Sequence, residues 1–193
     1  MSAKAEQKER THASILASAS RLVRTRGIGG ASVADVMRGA GLTVGGFYAH
    51  FASKEALVDE VFRRTAAAAR ARFLEGIDDK PAESRVEVLM KRYLSATHRD
   101  ASDEGCPMPA VVGEVATTAP EHGEAIAEGV EALAGAIEDR LPKLAPASTR
   151  RAVSLGAVAL MYGGLSLARA TKGTPLSDEL LRACRAFGKL AVG

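Results

Sequence analysis

Apolar residues recur at helical intervals along nearly the whole chain, and no run alternates as a half-buried strand must. Ile15, Leu16, Ala19, Leu22 and Val23 mark one such face, and Val86, Leu89, Met90, Tyr93 and Leu94 a second. Ile126, Val130, Leu133, Ile137 and Leu141 mark a third, and Leu180, Leu181, Cys184, Phe187 and Leu190 a fourth. Glycine, proline and capping residues break the pattern at 76–82, 100–107, 117–121, 141–149 and 171–177. The spacing predicts an all-α fold of about nine helices. With 25% charged residues, no Trp and abundant Ala, Arg and Glu, the composition agrees with a packed helical protein and not a disordered one.

The N-terminal fifty residues carry the sharpest local signals. Gly27, within "GIGG", stops the first helix. Ser32 can cap a second, with Asp35 three residues on as its capping-box partner and Val33, Val36 and Met37 facing inward. That helix ends at Gly39–Gly41, and Thr43 is positioned to cap a short third helix. Ser53 opens a long fourth helix through Leu57, Val61 and Phe62 towards Leu74. Short helix, glycine turn, short helix is the helix-turn-helix layout, whose second helix enters a DNA major groove.

The third helix is unusual in carrying Gly45 and Gly46 side by side, each costing roughly 0.8–1.0 kcal/mol of helix propensity against alanine. Phe47 and Phe51, four apart, can pack inward together. Thr43, Val44, Gly45, Gly46 and Tyr48 are then left facing outward, with His50 and Lys54 near the far end. Bare glycines admit a close approach of phosphates or base edges, and Tyr48, His50 and Lys54 are donors suited to phosphate oxygens. Thr43 and Val44 suit a thymine methyl, and Thr43 can also hydrogen-bond a base. Ser32 and Val33, at the start of the second helix, complete the expected contact set. Charge agrees: residues 1–54 hold eight Lys or Arg against three acids, the remainder 18 against 20.

In residues 31–57, "ASVADVMRGAGLTVGGFYAHFASKEAL", the sequence resembles the TetR family of bacterial transcriptional repressors. The capped second helix, "AGLT", the F-Y-x-H-F core and the "SKEAL" helix start carry the likeness, which covers roughly residues 11–57. Ala49 and Val44 depart from residue types common there. The resemblance implies a helix-turn-helix domain over 1–52 and a helical ligand-binding and dimerisation domain over 53–193. It also implies a homodimer that pairs its last two long helices, a DNA operator with two-fold symmetry and a small-molecule inducer. Gly156, Ala159 and Gly163 form a small-residue strip compatible with such pairing, and Leu180, Cys184 and Phe187 lie on the last helix. A helix buried within one subunit is the alternative.

Phe62, Met90, Tyr93, Cys106, Met108, Val112, Met161 and Tyr162 are candidates for a ligand cavity, although each equally fits an ordinary core. Cys106 stands near a helix start, where a thiol can become reactive; the competing reading is a small packing residue. Glu114, among Val111, Val112 and Val115, fits either a cationic ligand or water. His12, His98 and His122 read as isolated, solvated residues forming no metal site.

No GxSxG, HExxH, P-loop or post-strand Rossmann glycine pattern is present, so neither an enzyme nor a bound cofactor is expected. Two unpaired cysteines and a charged N-terminus without a signal-type apolar run predict a cytoplasmic protein. The uncharged run 152–168 falls short of the roughly 20 residues a membrane span needs and is diluted by Gly, Ser and Ala, predicting a buried helix. The expectation is a ligand-responsive repressor that binds DNA in a sequence-specific way; the alternative is a helical ligand carrier that never touches DNA.

Overall fold

The computed structural model describes residues 2–102, 105–143 and 146–192, so residues 103, 104, 144 and 145, inside two of the expected breaks, lie outside it. Among the described residues there are nine α-helices and no strand. They are α1 (Ala3–Arg26), α2 (Val33–Gly39), α3 (Lys54–Leu74), α4 (Arg85–Tyr93) and α5 (Ala96–Asp100), then α6 (Met108–Thr117), α7 (Gly123–Glu138), α8 (Ala147–Ala170) and α9 (Pro175–Val192).

The third helix expected from the sequence forms as a single 3-10 segment, Val44–Ala49. Its backbone closes with the tighter bonds Gly46 N–H to Thr43 O at 3.1 Å and His50 N–H to Phe47 O at 2.9 Å. Six residues with two glycines cannot sustain α-helical cooperativity, and the short segment settles into the tighter winding. The short α5 follows a break that no glycine or proline announces. It is made by Ser95, whose hydroxyl accepts the His98 amide at 3.1 Å.

Two buried clusters organise the chain. A small one joins Ile15, Leu16, Ala19, Val36, Met37, Phe47 and Phe51 to Leu57 and Val61 at the start of α3. A large one runs from Val23 and Phe62 through α4, α6, α7 and α8 to Leu181. α3 therefore belongs to both: Leu57 and Val61 finish the small core, while Val58 and the helix from Phe62 onward wall the large one. Each fully buried Phe or Leu side chain contributes roughly 1.5–3 kcal/mol to holding these elements together.

α8 is the one described helix long and apolar enough to cross a membrane by length and composition. Here it packs along α7 and α9 and buries Ala157, Val158, Met161 and Leu165. Its other face is open. Gly156, Ala159, Gly163 and Leu167 are exposed there, beside Leu176, Phe187 and Leu190 of α9.

Candidate nucleic-acid interface

The tip of the small cluster is fixed from beneath and bare above. Phe47 is fully buried, stacks on Phe51 at 5.7 Å and anchors the 3-10 segment from its inner side. Tyr48, next in sequence, is thrown outward with 72% of its surface exposed and only the edge of Phe47 against it at 5.2 Å. Thr43, Val44 and Gly45 are exposed as well. The Thr43 side chain makes no capping bond, contrary to expectation, which leaves its hydroxyl free for a partner outside the chain.

Neither tip glycine is demanded by the subunit itself. A Cβ on Gly45 would meet nothing within 4 Å, and one on Gly46 would meet only the Met37 methyl at 3.8 Å. Both have ordinary negative φ. Gly45 is thus the open position, while Gly46 is half-buried and turned towards Met37.

α2 is built as its sequence predicts, with one change. The Ser32 hydroxyl accepts the Asp35 amide at 3.1 Å and donates to the Asp35 carboxylate at 2.7 Å, so the reciprocal bond runs to the hydroxyl rather than to the Ser32 backbone. That bond, helped by Arg38, holds the Asp35 carboxyl below its usual range. Ser32 is exposed; Val33 is half-buried against the small core.

Two residues expected among the outward donors are turned partly inward. The Lys54 ammonium donates to the Ile28 carbonyl at 2.9 Å. The His50 ring lies 5.9 Å from that of His12, with its Nδ1 buried and unpartnered. Burial first, then the charges of His12 and Lys8, push the His50 pKa down.

The turn between α1 and α2 is gripped from a second side. Glu114 of α6 accepts the Ile28 amide at 3.1 Å on one carboxylate oxygen and the Gly29 amide at 3.0 Å on the other. Gly27, at φ +74°, ends α1 beneath this carboxylate, and any Cβ there would collide with it. Glu114 is therefore committed to the chain's own backbone and unavailable to a cationic ligand. Its role was invisible in sequence because the partners are amides 85 and 86 residues away.

The expected solvated histidines are all engaged. His12 pairs with Glu60 at 2.9 Å, buried His122 with Asp59 at 2.7 Å, and buried His98 donates through Nδ1 to the Tyr93 carbonyl at 2.7 Å. The Nε2 of His98 then accepts the Cys106 amide at 3.3 Å. Among the described residues no group of His, Cys, Asp or Glu is arranged to hold a metal.

Of the candidate cavity residues, Tyr93, Cys106 and Tyr162 line one cleft together with Arg70, Phe73 and Leu133. The residues Phe62, Met108 and Met161 are fully buried core and do not line it; Val112 is half-buried elsewhere on α6, and Met90 faces a groove towards Phe187 and Gly188. Cys106 is buried and its thiol pKa is pushed up by that burial, which favours packing over reactivity. Cys184 packs inward against Gly164, and Leu180 is half-buried, so only Phe187 of the α9 trio stands out in solvent.

Comparison with known proteins agrees with this architecture. A family model described as bacterial regulatory proteins, tetR family, matches residues 15–61. The HTH-type transcriptional repressor KstR2 of Mycobacterium tuberculosis is 33% identical over 89 residues, 45% of this chain and 44% of the relative. The match thus spans less than half the length of that curated relative. E. coli NemR in its reduced form superposes with a TM-score of 0.79 at 20% identity, over 95% of this chain and 97% of the other. A TetR transcriptional regulator from Chloroflexus aurantiacus superposes with a TM-score of 0.79 at 22% identity, over 96% and 95%. These solved structures share the fold across the whole chain, including the part the family model leaves unmatched. Residues 15–61 thus match the tetR family of bacterial regulatory proteins, and the chain as a whole shares the fold of solved TetR-type regulators.

Proposed function

We propose that this protein is a ligand-responsive, sequence-specific DNA-binding transcriptional regulator, a repressor released by a small-molecule inducer. The observation carrying the reading is the exposed tip: Tyr48 and Val44 stand in solvent on a segment whose Gly45 answers to nothing inside the subunit. Thr43, Val44, Gly45, Gly46 and Tyr48 form the groove-facing surface, with Ser32 at the start of α2 beside it. Lys54 and His50 serve the reading indirectly, by holding the turn and the segment in place.

The division into a DNA-binding part, residues 1–52, and a ligand and dimerisation part, 53–193, draws support from the two cores, which overlap at the boundary: Leu57 and Val61 of α3 belong to the small one, and Val23, Ile28 and Ala31 to the large one. The open face of α8 and α9 is the dimer face; Gly156, Ala159 and Gly163 allow close helix approach, and Phe187 and Leu190 supply apolar area. Two tips related by a two-fold axis then meet successive major grooves of a symmetric operator.

Release runs through α6. This helix begins two residues beyond cleft-lining Cys106 and carries Glu114 on the α1–α2 turn. A ligand that shifts the start of α6 displaces that turn, and DNA must weaken ligand binding by the same factor that ligand weakens DNA binding. A mobility-shift titration on DNA upstream of the protein's own gene, repeated at rising salt, tests the reading. Affinity falling steeply with salt on that DNA, and weak binding to unrelated DNA, is expected. Equal, feeble binding to both would leave a ligand carrier.

A further inference from the structure

We propose that the cleft between α3, α4, α7 and α8 takes an apolar molecule bearing a single carboxylate, held by Arg70 and Tyr93. The assignment rests on the regulator reading only in calling this molecule the inducer.

The chemistry of the lining selects the class. Phe73, Leu89 and Leu133 give the cleft apolar walls. Among the described residues Arg70 is the one charged group lining it, and no acid does. Half-buried on α3, Arg70 makes no hydrogen bond or ion pair among the described residues. An Arg fork left unpaired beside apolar walls matches a planar carboxylate, and an ammonium there would be repelled. Deeper in, the Tyr93 hydroxyl is buried, with the Cys106 thiol as its polar neighbour and no hydrogen bond of good geometry. A buried donor of that kind is costly to leave unmade and gains from a ligand oxygen. Glu114, the acid expected to recruit a cationic ligand, is occupied on the α1–α2 turn.

The cleft as it stands is a cavity of only about 10 Å³. That is barely room for one water. An entering acid must therefore part the lining side chains, which is how it would bias α6 through Cys106.

The test is isothermal titration of the full chain with decanoate, decanol, decylamine and 3-phenylpropanoate, backed by thermal shift. Decanoate is expected to bind at least about tenfold more tightly than decanol, and decylamine not to bind. Arg70→Gln should erase the preference for acid over alcohol, Arg70→Lys should restore part of it, and Tyr93→Phe should weaken decanoate several-fold without lowering thermal stability. Binding of 3-phenylpropanoate in place of decanoate upholds the carboxylate class with a ring-bearing body. Decanol equalling decanoate, an unchanged preference in Arg70→Gln, or binding of neither acid overturns it. Operator binding measured alongside separates the two readings. DNA binding without acid binding sinks the ligand class alone; acid binding without DNA binding upholds the cleft and sinks the regulator.

Discussion

Glu114 accepts the backbone amide of Ile28 at 3.1 Å, joining α6 of the large core to the turn that launches α2. With Gly29 on its other oxygen and Lys54 donating to the Ile28 carbonyl, the turn is held at both polarities of its backbone. Cutting this clasp should loosen the turn and leave the tip's anchor intact. Glu114→Ala is expected to cost about 1.5–3 kcal/mol in denaturant unfolding, the range for hydrogen bonds to a charged acceptor. Hydrogen exchange should accelerate at the Ile28 and Gly29 amides and stay unchanged near Phe47; equal acceleration at both places would refute a local clasp.

Gly45→Leu should fold normally, because its Cβ meets nothing within 4 Å. It should nevertheless reduce operator affinity by at least tenfold in a mobility shift, since the side chain stands where the duplex would lie. A variant that binds DNA as well as the parent would remove the glycine from the interface.

Tyr48→Phe deletes one exposed hydroxyl and nothing in the core. Losing one phosphate hydrogen bond, about 0.5–1.5 kcal/mol, should weaken operator binding roughly two- to tenfold with an unchanged circular dichroism melt. Unaltered affinity would exclude the hydroxyl as a contact.

His98 makes stability depend on acid. Its Nδ1 hydrogen is given to the Tyr93 carbonyl, so Nε2 must stay unprotonated to accept the Cys106 amide. Burial, the largest cause, lowers its pKa from 6.5 to about 4. Since the unfolded chain takes up the proton first, the stabilisation is complete above pH 6.5 and is lost as pH falls towards 4. The loss should approach roughly 3 kcal/mol. Chemical denaturation across that window should show this slope in the parent and a flatter one in His98→Gln; identical slopes would show that other groups govern acid sensitivity.

The helical character of the chain, its caps at Ser32 and Ser53, the glycine stop at Gly27 and the inward pair Phe47 and Phe51 were legible from sequence. Each is set by neighbours within about four residues, so spacing alone encodes it. The motif at residues 31–57 likewise pointed to the family model that residues 15–61 match, and the outward Tyr48 followed from the inward phenylalanines. Where long polar side chains end up follows different physics. Lys54 read as an outward donor and bonds the Ile28 carbonyl, His50 read as one and has its Nδ1 buried, and His98 and His122 read as solvated and are buried. Glu114 found its partners 85 and 86 residues away. Lys54, His98, His122 and Glu114 each take a donor or acceptor that the packed helices bring within about 3 Å, because a buried polar group gains from being satisfied, whereas the His50 Nδ1 is buried without one. Local periodicity determined which segments are helices; only their mutual packing decided which charges are spent inside the molecule and which, like Arg70, remain unpaired.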